Sequence, residues 1–340
     1  MRRPVRRDPR PDCGLLARED AVSAAPRIRI DAARCVGCGL CVSCCPSHTL
    51  AVREKKAVVV GASCLECRHC QAACPDGALV VEALDPWAGE FVTFAASGEW
   101  LAPGNPDPGE LVRLMRSRRS TRSYLDRPVP REVLEDVVRA GVSAPSGHNS
   151  QKWAFTILPD RKAVVFLGNA LARFFRRLNR TAANPLIRLF MRLVGRRDLD
   201  EYYREHFASV EKALEDWDRD GTDRLFHGAP AVIVVTSRPG ASCPAEDALL
   251  AAQNMLLAAH AMGLGTCLAG YAVAAMGHDP AIKAGLDIEP RETVYAVIAL
   301  GYPKEAYARV AGRKRPPVRF FEVPRERGDK VSGGIRTTKR

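Results

Sequence analysis

No apolar run in the 340 residues reaches the roughly 18 to 20 needed to carry a helix across a bilayer. The Arg-rich start, Met1 to Arg10, is not followed by the apolar stretch of a secretion signal. A cytoplasmic location is therefore expected, with a reducing environment that keeps thiols from pairing. No Gly-x-Gly-x-x-Gly follows a strand-like run, which excludes the usual fingerprint for a dinucleotide without excluding the dinucleotide. A nucleic-acid-binding signature is missing too, although the formal charge is +12. That charge is unevenly spread. Residues 31–82 carry five basic and five acidic side chains, whereas Leu167 to Arg197 has eight arginines and no acid, and Arg309 to Arg340 has eleven basic residues against three acidic.

What is present is enough apolar content, 46%, to bury a substantial core, and a length that suits two domains. Nine of the twelve cysteines lie between Cys35 and Cys74. In a reducing compartment such a concentration reads as metal ligation, not as disulfides.

The cysteines repeat. Shifting the chain by 29 residues lays Cys35, Cys38, Cys41 and Cys45 on Cys64, Cys67, Cys70 and Cys74, and Pro46 on Pro75. Short apolar segments flank both runs, Ile28 to Ile30 and Val58 to Val60 before them, Leu50 to Val52 and Leu79 to Val81 after them, so each unit reads as strand, cysteine loop, Pro turn, strand. The spacing matches the bacterial ferredoxin pattern with two [4Fe–4S] clusters. Three thiolates at two-residue intervals reach three irons of one cube, and the next cysteine goes to the other cube. One cluster then takes Cys35, Cys38, Cys41 and Cys74, and the second takes Cys64, Cys67, Cys70 and Cys45. Zinc also uses Cys-x2-Cys pairs, but it has no need of a third cysteine at the same spacing or of a Cys-Pro beyond it. Cys13, Cys44, Cys243 and Cys267 are surplus to the pattern and receive no chemistry.

Asp85 to Gly109, rich in Pro and Gly, reads as a linker. Beyond it helix-like and strand-like segments interleave: helices near Leu111 to Arg119, Arg131 to Val142, Glu201 to Arg219 and Ala245 to Met262, and strands near Trp153 to Leu158, Ala231 to Thr236 and Thr293 to Leu300. Ser242 is the expected N-cap of the last helix, Pro244 fits its first turn, and Gly263 closes it. The expected organisation is an N-terminal extension (1–26), a two-cluster ferredoxin-like module (27–84), the linker (85–109), a mixed α/β domain (110–320) and a basic tail (321–340). The fold class is α+β.

Arg118-Arg119-Ser120-Thr121-Arg122 gathers three guanidinium forks and two hydroxyls, a set suited to phosphate. Ala144-Pro145-Ser146-Gly147-His148-Asn149-Ser150-Gln151-Lys152-Trp153 is a turn-rich loop that offers close backbone approach at Gly147 and directed amide hydrogen bonds. With both segments in hand, the domain resembles the FMN-dependent nitroreductase family, whose members open with Arg-Arg-Ser-x-Arg and continue with Pro-Ser-Ser/Gly-x-Asn-x-Gln-Pro-Trp. The resemblance covers about Leu111 to Pro317 and extends through Gly228-Ala229-Pro230, Gln253-Asn254, Gly263-Leu264-Gly265-Thr266 and Gly301-Tyr302-Pro303. Lys152 stands where the family usually has proline.

The resemblance implies that Arg118, Arg119, Ser120 and Arg122, with the basic pair Arg313 and Arg315, grip the FMN phosphate. Ser146, Gly147 and Asn149 would meet the ribityl chain and ring, and Ala269 and Gly270 would present backbone to the ring edge. It further implies a homodimer with each flavin at the subunit interface, and Leu249, Leu250, Leu256 and Leu257 form a helix face that suits an interface or a buried core equally.

Clusters move electrons singly and a flavin stores two, so the pairing reads as a one-to-two-electron converter. The expected donor is a reduced ferredoxin-like carrier or NAD(P)H, and the acceptor a small nitroaromatic, quinone or activated alkene. A redox sensor or electron carrier is the non-enzymatic alternative. No residue is assigned as a catalytic acid or base, His148 included. Leu186 to Arg197 reads as a short basic amphipathic helix between Pro185 and Gly195, with lid or packing roles favoured over membrane-surface contact.

Overall fold

The computed structural model describes residues 26–82 and 85–321. The cysteine repeat folds into two strand–loop–helix–strand units. In the first, β1 (Ile28–Ile30) is followed by a cysteine loop, α1 (Leu40–Ser43) and β2 (Leu50–Arg53); in the second, β3 (Lys56–Val59), α2 (His69–Ala72) and β4 (Leu79–Val81) repeat the order. Strands pair across the units, β1 antiparallel to β4 and β2 antiparallel to β3. The 29-residue offset extends to the backbone: Gly37 and Glu66, and Gly39 and Arg68, all adopt left-handed conformations. These kinks turn the successive cysteines of each loop inward, and glycine meets the requirement without strain in only the first copy. The apolar core is small, Leu50, Ala57, Leu79 and Val81 with Cys41 and Cys70, so a core of this size depends on its metal staples.

The segment read as a linker is a docked strap. Val92 and Thr93 donate backbone N–H bonds to the buried carboxylate of Asp136, Thr93 adds its hydroxyl, and Arg139 lies 4.6 Å over the Trp87 ring. Its Pro and Gly content shapes the chain's path; one buried ion pair, Asp136–Arg139 at 2.8 Å, holds it.

Beyond the strap come α3 (Pro108–Ser117), α4 (Arg131–Gly141), β5 (Trp153–Leu158), α5 (Arg161–Ala183), α6 (Pro185–Leu193), α7 (Asp198–Glu205), α8 (Phe207–Asp220), β6 (Ala231–Ser237), α9 (Pro244–Ala261), β7 (Gly265–Leu268), α10 (Gly270–His278), α11 (Pro280–Ala284) and β8 (Thr293–Gly301). The strands form one antiparallel sheet in the order β5-β6-β8-β7. Val232, Val234, Val297 and Ala299 face α5, α8 and α10, while Ala231, Ile233, Val235, Ala296, Ile298 and Leu300 face α4 and α9. Coverage on both faces is why β6 is a continuous apolar run and shows no alternation.

Three expectations change. The helix expected over Glu201 to Arg219 is broken at His206 into α7 and α8. The N-cap of α9 is Cys243, which makes no side-chain capping bond, and Ser242 instead pairs with His148 at 3.0 Å. Helix α6 turns Arg188 and Arg192 toward Asp200, and Arg188 also stacks on Tyr203, so its apolar residues Phe190 (62% exposed) and Leu193 (77%) face outward. No helix among the described residues is long and apolar enough to cross a membrane. Cys13 and most of the basic tail lie outside the described residues.

Candidate functional site

Two cavities open in the cysteine-rich module. One is lined by Cys35, Cys38, Cys41 and Cys74, the other by Cys45, Cys64, Cys67 and Cys70. Each set draws three thiols from one loop and the fourth from the other copy, the interleaving that the ferredoxin pattern implies. The sulfurs line bays and do not converge on a point, and among the described residues no three metal-ligating side chains are grouped to hold a single ion. Thiolate donors around a bay suit a cube of iron and sulfide better than tetrahedral zinc.

Backbone amides address the sulfurs. Thr49 N–H donates to Cys45 Sγ at 3.4 Å and Ala78 N–H to Cys74 Sγ at 3.3 Å, the same bond in each repeat. Ala57 N–H donates to Cys35 Sγ, and this bond, joined by one from Gly37, holds the Cys35 thiol below its ordinary value. Burial pushes the Cys70 thiol up to about 11 and raises those of Cys41 and Cys64. Those three thiolates therefore need a cationic partner to stay ionised, which iron supplies.

The second site is a pocket lined by Arg118, Arg119, Ser120, Arg122, Tyr307 and Arg313. Residues 118–125 are stitched along two strand ends. Thr121 N–H donates to Thr266 O at 2.9 Å, Leu125 N–H to Tyr302 O at 2.8 Å and Lys304 N–H to Ser123 O at 3.1 Å. A Cβ at Gly265 would lie 2.3 Å from the Thr121 hydroxyl, so glycine there lets the arginine segment press onto β7. Tyr124, buried beneath, donates its hydroxyl to Thr121 O, and burial keeps the phenol neutral. Among the described residues none of the four arginines pairs with a carboxylate. Four guanidinium groups around one cavity require an anion, and a phosphate dianion meets both their charge and their fork geometry. Tyr307, 5.5 Å beneath the Arg119 guanidinium, had no sequence signal. Arg315 lies two residues past Arg313, exposed and not among the lining groups.

The loop carrying Ser146, Gly147 and Asn149 lies elsewhere. Asp247, buried in the first turn of α9, accepts from Gly147 N–H at 2.9 Å and from the Ser150 hydroxyl at 3.2 Å. His148, Asn149 and Gln151 are all left-handed, at φ 52°, 54° and 46°, a tight bend that presents successive polar groups on one side. Gln151 Nε2 donates to Asn149 Oδ1 at 3.0 Å. Asn149 Nδ2 in turn donates at 3.0 Å to the carbonyl of Leu65, which lies between Cys64 and Cys67 in the chain. The flavin-type loop thus touches the second cluster bay directly.

The arginine pocket sits at the other end of α9. Thr121 packs against Gly265, four residues past the end of α9, which sets the arginine segment beside the helix C-terminus. From Asp247 to His260 the axis rises about 20 Å at 1.5 Å per residue. Ala269 and Gly270 lie on the pocket's side of the sheet, at the junction of β7 and α10, where Ala269 N–H donates to Val297 O. One chain therefore does not bring Ser146, Gly147 and Asn149 together with the arginines.

Several known proteins are similar to this chain. 4-Nitrobenzoate reductase of Nocardioides sp. is 31% identical over 208 residues, which cover 56% of this chain and 78% of the relative. A putative NADH dehydrogenase/NAD(P)H nitroreductase of Archaeoglobus fulgidus is 24% identical over 201 residues, covering 58% and 87%. Among solved structures, a nitroreductase with bound FMN from Bacteroides fragilis aligns with a TM-score of 0.46 and 22% identity, over 63% of this chain and 99% of the other. Residues 27–75 match the 4Fe-4S dicluster domain. Residues 115–302, more than half of the chain, match the nitroreductase family, to which this protein belongs.

Proposed function

We propose that the protein is an iron–sulfur flavoprotein oxidoreductase, in which two [4Fe–4S] clusters held by the cysteine bays feed electrons to FMN for reduction of a small organic acceptor. The observation that carries this reading is the hydrogen bond from Asn149 to Leu65, which joins the loop expected to face the flavin ring to the loop that carries Cys64 and Cys67. The flavin supplies a centre that accepts electrons one at a time and passes them on as a pair. Arg118, Arg119, Ser120, Arg122 and Arg313 hold the phosphate, with Arg315 adjacent in sequence. Ser146, Gly147 and Asn149 orient the ribityl chain and ring, and Ala269 and Gly270 line the ring edge.

These sets meet on one flavin only across a dimer. Helix α9 exposes Leu249 (48%) and Leu250 (44%) in its N-terminal half and Gln253 at its middle, and two copies paired antiparallel about Gln253 would bring the Ser146 loop of one protomer to the arginine pocket of the other. The relatives named as 4-nitrobenzoate reductases support a nitroaromatic acceptor; those named as NADH dehydrogenases keep NAD(P)H as the alternative donor.

The test is anaerobic purification with iron, sulfide and flavin assayed, followed by stopped-flow mixing with a reduced ferredoxin, NADH or NADPH. Two clusters and one FMN per chain, with flavin bleaching driven by ferredoxin, support the proposal. Zinc in place of iron, or no flavin, ends it. Full occupancy without turnover of nitroaromatics, quinones or enones makes the protein a redox sensor or carrier.

A further inference from the structure

Within one chain the ferredoxin-like module lies against only half of the proposed flavin site. Its second bay, Cys45, Cys64, Cys67 and Cys70, reaches Asn149 through Leu65, and Asn149 belongs to the loop that Asp247 pins at the N-terminal end of α9. The arginine pocket of the same chain lies beyond the C-terminal end of that helix, about 20 Å farther along its axis. The Leu65 contact and the arginine pocket of one chain thus lie at opposite ends of α9. The first bay is set back from the contact, with Cys38, Val36 and Leu40 open to solvent at its rim.

We propose that electron transfer is in trans: the clusters of each protomer reduce the flavin whose phosphate is gripped by its partner, leaving through the Cys45, Cys64, Cys67 and Cys70 cluster. The proposal rests on the function proposed above and adds the route. In each cycle two electrons leave that cluster one at a time and, with two protons from solvent, convert FMN to its dihydro form. The same two electrons are replaced by a low-potential one-electron carrier of the ferredoxin class, which loses one electron per encounter at the open rim of the first bay. Asn149 is a positioning residue here, fixing the cluster loop against the ring-facing loop.

Mixed dimers decide between the two routes. One chain carries Cys64→Ser and Cys67→Ser with its arginine pocket intact; the other carries Arg119→Ala and Arg122→Ala with its cysteines intact. The heterodimer is isolated through two different affinity tags, and its iron and flavin are assayed before anaerobic single-turnover reduction by reduced ferredoxin, read from flavin absorbance and from the relaxation of the flavin electron-spin signal by a reduced cluster. In trans transfer, the single flavin of the heterodimer sits in the intact pocket opposite the intact clusters, bleaches at the wild-type rate and shows cluster-enhanced relaxation. Transfer within one chain predicts a flavin that is bound but neither bleached nor relaxed, which would overturn the proposal. The homodimer of the cysteine variant must bind flavin and bleach with dithionite; if the double substitution prevents folding, Cys67→Ser alone replaces it. A wild-type protein without flavin or iron would instead defeat the underlying function, an outcome separate from a loaded heterodimer that stays oxidised.

Discussion

Asp247 fixes the Ser146 loop that the proposed function turns toward the flavin ring. Its two oxygens each take one donor, Gly147 N–H and Ser150 Oγ, in a site where the residue is almost fully buried. Asp247→Ala leaves both donors without that partner, a loss of about 1–3 kcal/mol in stability. Thermal melting is expected to show that drop together with a weaker flavin Kd, whereas the iron content stays at the wild-type value; a melt unchanged from wild type would count against the assignment. At this scale the sequence was most informative where chemistry is local. The eight cysteines, with their interleaving, follow from spacing alone, because ligands on one loop are constrained by the few bonds between them. Asp247 and Tyr307 left no trace, since each acts through a contact about 100 residues or more away in the chain or through a segment without a motif.

At the scale of elements, the strap is held by a single carboxylate. Burial opposes ionisation of Asp136, but the hydrogen bonds from Thr93, Val92 and Arg139 outweigh it and hold the carboxyl below its usual 3.8. A depressed carboxylate stabilises the fold above its unfolded value and loses that contribution as pH falls through the folded one, so the strap is expected to detach only below about pH 3.8. Asp136→Ala removes the buried partner of Arg139 and leaves it the half-exposed Glu135 at 3.2 Å and the Trp87 carbonyl, at a cost of at most about 3–5 kcal/mol. Limited proteolysis at neutral pH then cuts between 87 and 95 in the variant and spares the wild type; equal resistance would refute the strap. Proline and glycine concealed this element, because a strap fixed by a distant side chain has the composition of a linker. Helix α5 was hidden differently: Val164, Leu167, Leu171 and Phe175 keep a helical period along its buried face, but Arg173, Arg176, Arg177 and Arg180 dominate the reading of the stretch. In α6 the arginines were legible in the sequence but their partner was not. Asp200, on α7, draws Arg188 inward and pairs with Arg192, which stays half-exposed. Removing it in Asp200→Ala is expected to raise amide exchange across 185–205 with little change in the global melt.

For the whole molecule, the proposed function divides the flavin residues between the two ends of α9 and so makes dimerisation a condition of cofactor binding. Leu249 and Leu250 are exposed on a helix that otherwise buries Ala248, Ala251, Ala252, Met255, Leu256 and Ala259, so a charge there disturbs no core packing within the chain. Leu250→Glu places two carboxylates near the axis of an antiparallel pair, where like charges and lost apolar burial act together. Light scattering is expected to report a monomer, and flavin is expected to be lost, because neither end of α9 alone holds both the phosphate and the ring. The clusters are retained, since all eight cysteines belong to one chain. A Leu250→Glu monomer that kept its flavin would show that one chain closes around the cofactor by itself, and the separation along α9 would then lose its meaning for the site.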